Sequence, residues 1–449
     1  MKSVPKIPLS AALWRAAWGR RQLPTFLARS AARYGDLVQL RPRVWLASHP
    51  ELVRQILVEN PAKWNKARGI EKTSRLLGDG ILGSHGAKHR ARRRLLQPLF
   101  AGARLPFYAQ TIVESALETR AQWHLKPVVD MHAEMSELAL RIVSRAVFGA
   151  VLDEQTGRIG RALDEGMRLF NGSMTPLGDL YEKLPLIQRR FQHTRDELDS
   201  VVYALLAQKR NEIAENEIAE IPGAPGNDAL SVLLRARDEM GQPLPDQDMR
   251  DEAMTLLLAG HETTANALTF AWWFLGRHPR ARARLDEELA QVLNGRTATW
   301  NDLENLVWTR AVLSETMRLL PPAWVVGRCS VEDIPLQTGG REVTVPRGTT
   351  VFVSPFVLQR DRRFWREARR FDPARWEGGF APEKWSYLPF GAGHRACLAE
   401  NFAWMEAILG LATLAQEFCA VPLSPLRLEP SVTLRPSGAL PMRLEQRPN

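Results

Sequence analysis

The stretch that most constrains this chain lies at residues 390–397, where two glycines and a cysteine directly precede a helical pattern. It reads Phe-Gly-Ala-Gly-His-Arg-Ala-Cys. Gly391 and Gly393 let the backbone turn tightly, and residues 401–409 have helical spacing. We therefore predict that Cys397 lies just before or within a helix N-terminus, where partial positive charge favours the metal-binding thiolate. On this turn alone, a buried cysteine that only packs is the alternative.

A second constraint is a long helix, predicted from near residue 246 to about residue 276. Between residues 252 and 277 the ionisable side chains are those of His261 and Glu262, so the helix is apolar nearly all round and should be buried. A membrane span would place Glu262 near the bilayer centre at a cost of a few kcal/mol. A zinc-protease motif needs a second histidine where Ala265 stands. Both alternatives fail on these residues.

Two further motifs carry paired charges. His89 and Arg93 are four residues apart, so on a helix they share one face and could bind a pair of carboxylates. A solvated basic helix is the commoner role of such a run. Glu315 and Arg318 are three apart and predict a charge-assisted pair on a helix at 301–320, which two prolines end.

Several of these segments resemble those of the cytochrome P450 monooxygenases. Residues 390–397 are similar to the family's haem-binding loop, Phe-x-x-Gly-x-Arg-x-Cys-x-Gly, with Ala399 in place of the final glycine. Residues 259–264, Ala-Gly-His-Glu-Thr-Thr, resemble the family's oxygen-activating segment. His89 and Arg93 match the His-x-x-x-Arg of the helix that holds the haem propionates.

The fourth resemblance is a buried ion-pair motif. Glu315 and Arg318 match the family's Glu-x-x-Arg, and Arg375 matches the arginine that joins this pair. The four motifs occur in family order. They imply a mainly α fold with small β-sheets, the cytochrome P450 fold, with haem b (iron protoporphyrin IX) between the long central helix and the cysteine loop. They also imply a single haem-thiolate monooxygenase domain over residues 1–449, with no fused reductase.

The resemblance also implies roles for individual residues. Cys397 is the implied iron ligand, and Glu262 and Thr263 are the implied proton donors to bound dioxygen. Without the family, a buried Glu-Thr pair is equally well a satisfied polar network. Further haem contacts are implied for His89, Arg93, Ala259, Gly260, Arg328, Phe390 and Arg395. A structural brace for the cysteine loop is implied for Glu315, Arg318 and Arg375. The apolar wall facing substrate is assigned to Trp324, Val325, Val326 and Ala439.

Cysteine content and net charge indicate the cellular compartment and the class of partner protein. Three cysteines are too few for a disulfide framework and suit a reducing compartment. The first 21 residues lack the unbroken apolar run of a signal peptide. We therefore expect a cytoplasmic protein without a transmembrane segment, and peripheral membrane contact stays open. The net charge of +10 is spread along the chain without a nucleic-acid motif. It favours an acidic ferredoxin-type electron donor with its reductase over nucleic acid.

The implied reaction inserts one oxygen atom of O2 into a C–H bond of a lipophilic substrate. Residues 321–325, 354–360 and 431–436 resemble those of soluble bacterial enzymes that hydroxylate carotenoid rings, which favours a β-carotene-like substrate. A fatty-acid hydroxylase is the alternative substrate class. A haem-dependent peroxygenase and a non-catalytic haem sensor or carrier also stay open. Peroxygenases of this family usually have Arg-Pro where Glu262 and Thr263 stand.

Elsewhere the spacing of apolar residues predicts the remaining elements. Helices are predicted at 9–43, 50–58, 129–148 and 159–170. Short strands are predicted at 44–47, 323–328, 343–346, 350–353 and 431–434. A surface link rich in Pro and Gly is predicted at 221–227.

Overall fold

Helices form most of the chain in the computed structural model, which describes residues 4–7, 20–67, 72, 74–150, 153–173, 178–215, 228–237 and 240–447. The α-helices are α1 (Leu23–Tyr34), α2 (Pro50–Val53), α3 (Ser74–Leu77), α4 (Gly86–Leu96), α5 (Leu105–Trp123), α6 (Met131–Ile142), α7 (Asp153–Ser173), α8 (Gly178–Tyr181), α9 (Pro185–Glu215), α10 (Ala229–Arg235), α11 (Asp246–Arg277), α12 (Pro279–Leu293), α13 (Val307–Leu319), α14 (Pro355–Leu358) and α15 (Glu400–Ala415).

The strands are short and lie in small sheets. They are β1 (Leu37–Arg41), β2 (Val44–Ala47), β3 (Trp64–Lys66), β4 (Val128–Asp130), β5 (Val326–Ser330), β6 (Ile334–Thr338), β7 (Arg341–Val345), β8 (Thr350–Val353), β9 (Phe418–Pro422), β10 (Leu428–Pro430), β11 (Leu434–Pro436) and β12 (Pro441–Gln446). Two π-type turns lie at Arg54–Val58 and Val143–Val147. The mainly α fold with small sheets that the sequence predicts is confirmed.

The first of two compact units consists of Met1–Arg68, Arg310–Cys397 and Leu426–Gly438. Its main sheet has the strand order β1-β2-β8-β5-β3, in which β2 and β8 are parallel and the other pairs are antiparallel. Buried apolar side chains from these strands and from α2 form a core that extends to Leu388 and Ala392. The core thus supports the chain immediately around the cysteine loop.

The second unit consists of Gly69–Thr309, Leu398–Pro425 and Ala439–Asn449. Helix α11 has 32 residues and is buried along nearly its whole length, packing against α6 and α15. The indole rings of Trp123 and Trp272 meet edge to face at 5.5 Å in this core. A small sheet, β4-β12-β9, completes the unit. The predicted long buried helix is confirmed, since it ends within a residue of its predicted bounds.

Within the described residues, no helix combines the length and the apolar composition needed to cross a lipid bilayer. The hydrophobic face of α11 is instead covered by its neighbours in the second unit.

The N-terminal region differs from the prediction of helices over residues 9–43. Helix α1 ends at Tyr34, directly before Gly35, whose φ of 99° lies in the left-handed region. Leu37–Arg41 then forms β1 and pairs with β2 in a hairpin, because pairing and packing between strands outweigh local helical preference. Residues 8–19 and the predicted link at 221–227 lie outside the described residues.

Two predicted strands are also shifted. The strand predicted at 323–328 begins only at Val326, because the carbonyl of Trp324 accepts a hydrogen bond from the Ser354 hydroxyl (2.8 Å) instead of joining a strand. In place of the strand predicted at 431–434, residues 431–433 form a bend, closed by the N–H of Ser431 donating to the carbonyl of Thr433 (2.8 Å), and Leu434 begins β11.

Two predicted helices are shorter than expected. The helix predicted at 301–320 divides into a 3-10 turn at Trp300–Asp302, closed by a capping box at Thr299, and α13. The helix predicted at 129–148 starts later, because Val128–Asp130 pairs in a sheet and the carboxylate of Asp130 caps α6. Side-chain caps therefore mark the start of the 3-10 turn and the start of α6.

Candidate active site

The cysteine loop is shaped by its two glycines. Gly391 and Gly393 have φ values of 74° and 72°, a backbone conformation that favours glycine. A Cβ atom at Gly393 would overlap the carbonyl oxygen of Leu57, so this position tolerates no side chain. The N–H of Cys397 donates to the carbonyl of Phe390 over 2.9 Å and closes the loop. The cysteine lies three residues before α15.

The three cysteines, all in the described part of the chain, differ in accessibility. Cys397 is exposed, Cys329 is buried, and Cys419 is half-buried. Burial raises the pKa of the Cys419 thiol, which makes its thiolate harder to form. The sulfur of Cys397 is therefore the one that a large ligand can reach.

Positive charge is concentrated in the same unit. Lys66 and Arg328 face each other in the β3–β5 pair. Burial, reinforced by Arg395 and Arg328, holds the pKa of Lys66 well below its usual range. Burial, with repulsion from Arg395, also lowers the pKa of Arg328 to about 10. Among the described residues, the buried Nε of Arg328 has no hydrogen-bond partner. Such a cluster suits an anion that carries more than one negative charge.

Lys66 belongs to this cluster but is absent from the residues proposed from sequence. It follows Trp64-Asn65 in a three-residue strand, and no motif marks it. Its position depends on the pairing of β3 with β5, which the sequence does not reveal. Arg328 and Arg395 are the members of the cluster that the family resemblance suggests.

A network around a fully buried ion pair lies in the first unit. Glu315 and Arg318 form two hydrogen bonds of 2.7 and 2.8 Å. Arg375 donates to the Glu315 carboxylate over 3.0 Å, as do the N–H of Asp372 and the indole N–H of Trp376. Arg318 in turn donates to the carbonyls of Gln359, Ala368 and Arg370. The structure thus brings the three predicted residues together and ties two backbone segments to them, at residue 359 and at residues 368–372.

Within the buried part of helix α11, from residue 249 to residue 272, the positions that are exposed or partly exposed are 259, 260 and 263. This site is called the opening in α11. Ala259 is exposed and Thr263, one turn later, is partly exposed. The Thr263 hydroxyl donates to the carbonyl of Ala259 over 2.7 Å. A Cβ at Gly260 would lie 2.8 Å from Cγ2 of Val143, so this glycine allows the helix to approach the 143–147 turn closely. Its suggested role toward oxygen stays a prediction.

Ionisable groups flank this opening on α11. Burial lowers the pKa of His261 to about 4, so its imidazole is neutral at neutral pH. Glu262 is 7% exposed. Thr264 donates to Glu406 of α15 over 3.1 Å, and burial raises the pKa of Glu406 to about 8. Glu406 is a buried polar partner that was not proposed from sequence, although it is a lone acid within an apolar helical run.

The remaining predicted site residues occupy varied positions. His89 is buried on α4 and Arg93 is half-buried one turn later. Trp324 is buried, and its indole N–H donates to the carbonyl of Ser431 over 2.9 Å. Val325 and Val326 are half-buried, and Ala439 is exposed. The substrate role of these four residues stays a prediction.

Comparison with known proteins decides the family. The family model described as Cytochrome P450 matches residues 5–439.

The chain belongs to the cytochrome P450 family.

Curated relatives of this cytochrome P450 cover nearly the whole chain. Cyclooctat-9-en-7-ol 5-monooxygenase of Streptomyces melanosporofaciens is 35% identical over 99% of this chain and 94% of its own length. Cyclooctatin synthase of the same organism is 38% identical over 93% and 90%. Pentalenene oxygenase of Streptomyces avermitilis is 31% identical over 94% and 90%. This cytochrome P450 is accordingly an oxidoreductase of the monooxygenase type.

The residues of this cytochrome P450 fit its haem cofactor. Cys397 offers an exposed thiol on a loop that its glycines hold in shape. The cluster of Lys66, Arg328 and Arg395 offers positive charge for the two haem propionates, and a carboxylate would satisfy the buried Nε of Arg328.

Proposed function

We propose that this cytochrome P450 hydroxylates a lipophilic, mainly hydrocarbon substrate of the terpene type, with a β-carotene-like ring ahead of a fatty acid. The names of its relatives carry the proposal. Pentalenene is an alkene by name, and cyclooctat-9-en-7-ol is an alkene with one hydroxyl group. Each offers mostly C–H bonds and no charged group. The half-buried side chains of Val325 and Val326 suit such a substrate, because apolar walls select by shape.

The proposed reaction places one oxygen atom of O2 in a C–H bond and releases the other as water, with two electrons and two protons supplied. Haem bound through Cys397 supplies the activation of O2. The chain supplies the protons, and we assign this to Glu262 and Thr263. The Thr263 hydroxyl donates to the carbonyl of Ala259 and keeps lone pairs to accept a second proton. It can therefore relay a proton at the point where α11 is open.

Replacing Thr263 with alanine should divert reducing equivalents from product to hydrogen peroxide, because the relay hydroxyl is lost. We expect product formed per NAD(P)H to fall about a hundredfold or more, the lower end of the usual contribution of an acid–base group, while haem content stays normal. Thr269→Ala is the matched control, since Thr269 makes the same bond to the carbonyl of Ala265 (2.7 Å) but is fully buried. An unchanged product yield in Thr263→Ala would exclude the relay.

The substrate class is tested by direct competition. We expect the purified enzyme, given a ferredoxin and its reductase, to hydroxylate β-carotene or pentalenene and to leave a saturated fatty acid unchanged. The expected preference follows from the side chains of Val325 and Val326, which carry no group that binds a carboxylate. Hydroxylated fatty acid beside untouched hydrocarbons would contradict the substrate proposal and leave the monooxygenase assignment standing.

We further propose that the external electron donor is an acidic ferredoxin-type protein. The net charge of +10 supports this choice, because opposite charge accelerates the encounter of two proteins.

A further inference from the structure

The N-terminal half of α11 carries two buried acids that the proposed reaction does not use. Asp251 and Glu252 are 4% and 0% exposed. The N–H of Asp79 donates to the Asp251 carboxylate over 2.7 Å, and the N–H of Ile81 donates to the Glu252 carboxylate over 2.9 Å. Adjacent carboxylates of one helix thus hold alternate amides of a turn at residues 78–84.

The turn lies directly on the helix. Gly78 has a φ of 70°, and a Cβ there would overlap the side chain of Asp251. A Cβ at Gly80 would lie 2.6 Å from the carbonyl oxygen of the same aspartate. The backbone of Leu76 is fixed as well, because its carbonyl accepts from Arg250 over 2.7 Å. The glycines therefore permit a contact too close for any side chain.

Helical geometry places this contact beside the opening in α11. At about 100° per residue, Ala259 and Thr263 each lie within about 20° of Glu252 around the helix axis. The three residues therefore share one face of α11. Glu252 is buried under the turn, whereas Ala259, about 10 Å further along the axis, is exposed. The 78–84 turn therefore covers this face at Glu252, about two helical turns before the face becomes exposed at Ala259. Ile81 and Leu82 of this turn are partly exposed.

We propose that Glu252 is a positioning residue that holds the 78–84 turn as one edge of the substrate space beside Ala259 and Thr263. Its carboxylate sets the strength with which a lipophilic ligand is enclosed. This inference rests on the proposed role of the opening in α11.

The charges around Glu252 make its hold on the turn dependent on pH. Burial raises the pKa of Glu252 to about 7, and Asp248 and Asp251 on the same helix act in the same direction. Arg92 of α4, 3.3 Å from the Glu252 carboxylate and 2.6 Å from Asp248, opposes this shift, as does the N–H of Ile81. Lys88 of α4 neutralises Asp79 and Asp248.

The direction of the pH effect on ligand enclosure follows from the raised pKa of Glu252. Above about pH 7 the carboxylate is ionised, and its hydrogen bond to Ile81 is charge-assisted. Below that pH the group is a neutral acid, which accepts the same hydrogen bond more weakly and no longer attracts Arg92. Ligand enclosure should therefore weaken as the pH falls through the neutral range.

The test compares two haem ligands that differ only in a lipophilic tail. Imidazole binds haem iron alone, whereas a long-chain 1-alkylimidazole also fills the substrate space. The ratio of their dissociation constants, read from the haem absorption spectrum, cancels the titration of the shared ring. We call the dissociation constant of imidazole divided by that of the alkylimidazole the tail ratio. In the wild-type enzyme we expect the tail ratio to fall several-fold between about pH 8 and about pH 6.

Glu252→Gln removes the charge and keeps an oxygen that accepts from Ile81. The tail ratio of this variant should be low and independent of pH, and it should equal the wild-type value at about pH 6. Glu288→Gln is the control, because Glu288 accepts from the N–H groups of Trp308 and Thr309 and does not contact the turn. It should keep the wild-type response.

The outcomes separate the two proposals. If neither imidazole binds iron, the haem-enzyme assignment itself fails. If both bind and the wild-type ratio does not change with pH, the role of Glu252 is wrong, even where Glu252→Gln fails to fold. A ratio that still varies with pH in Glu252→Gln would equally overturn it.

Discussion

Replacing Cys397 with histidine should abolish the thiolate-type carbon monoxide spectrum and reduce product formation to background. Histidine can ligate iron but cannot supply the sulfur electron density that favours cleavage of the O–O bond. The loop geometry supports a single candidate, because Cys397 is the exposed cysteine among the three.

Two variants serve as controls for this substitution. Cys329→Ala and Cys419→Ala remove sulfurs that are buried or half-buried, and both should keep the thiolate-type spectrum. Persistence of that spectrum in Cys397→His, or its loss in either control, would show that a different sulfur ligates the iron.

Glu315→Ala should lower the free energy of unfolding by about 3–5 kcal/mol, the usual cost of breaking a buried ion pair. The substitution leaves the fully buried guanidinium of Arg318 without its carboxylate. It also removes the acceptor of Arg375, of the Asp372 N–H and of the Trp376 indole. Denaturant titration followed by circular dichroism measures the loss.

An exposed ion pair provides the matched control. Arg370 lies 3.3 Å from Glu367, and both side chains are more than half exposed. Arg370→Ala should therefore cost less than about 1 kcal/mol, while its backbone carbonyl still accepts from Arg318. Equal, small losses in Glu315→Ala and Arg370→Ala would mean that the network does not brace this unit.

The features that local sequence encodes were predictable. Helix α11 is marked by its apolar composition and ended by a proline, so its bounds agree with the prediction. The turn before Cys397 is marked by two glycines whose positive φ values the structure contains. In both cases neighbouring residues determine the conformation.

Features that depend on distant pairing could not be predicted. Lys66 joins the basic cluster only because β3 pairs with β5. The bond from the N–H of Ile81 to Glu252 joins a turn to a helix 171 residues further along the chain, and backbone amides carry no sequence signature. The Glu-x-x-Arg spacing revealed Arg318 as a partner of Glu315, but not the three carbonyls that Arg318 binds.

The assembly of the first unit from separated stretches has a consequence for biosynthesis. Val44–Ala47 needs Thr350–Val353 as its parallel partner, and the unit also needs Leu426–Gly438. A ribosome therefore releases the β1–β2 hairpin long before its partner strand exists, leaving an unpaired strand edge exposed to other nascent chains. Folding of this unit can finish only after residue 438 has been translated, so the growing polypeptide should depend on chaperones that shield such edges.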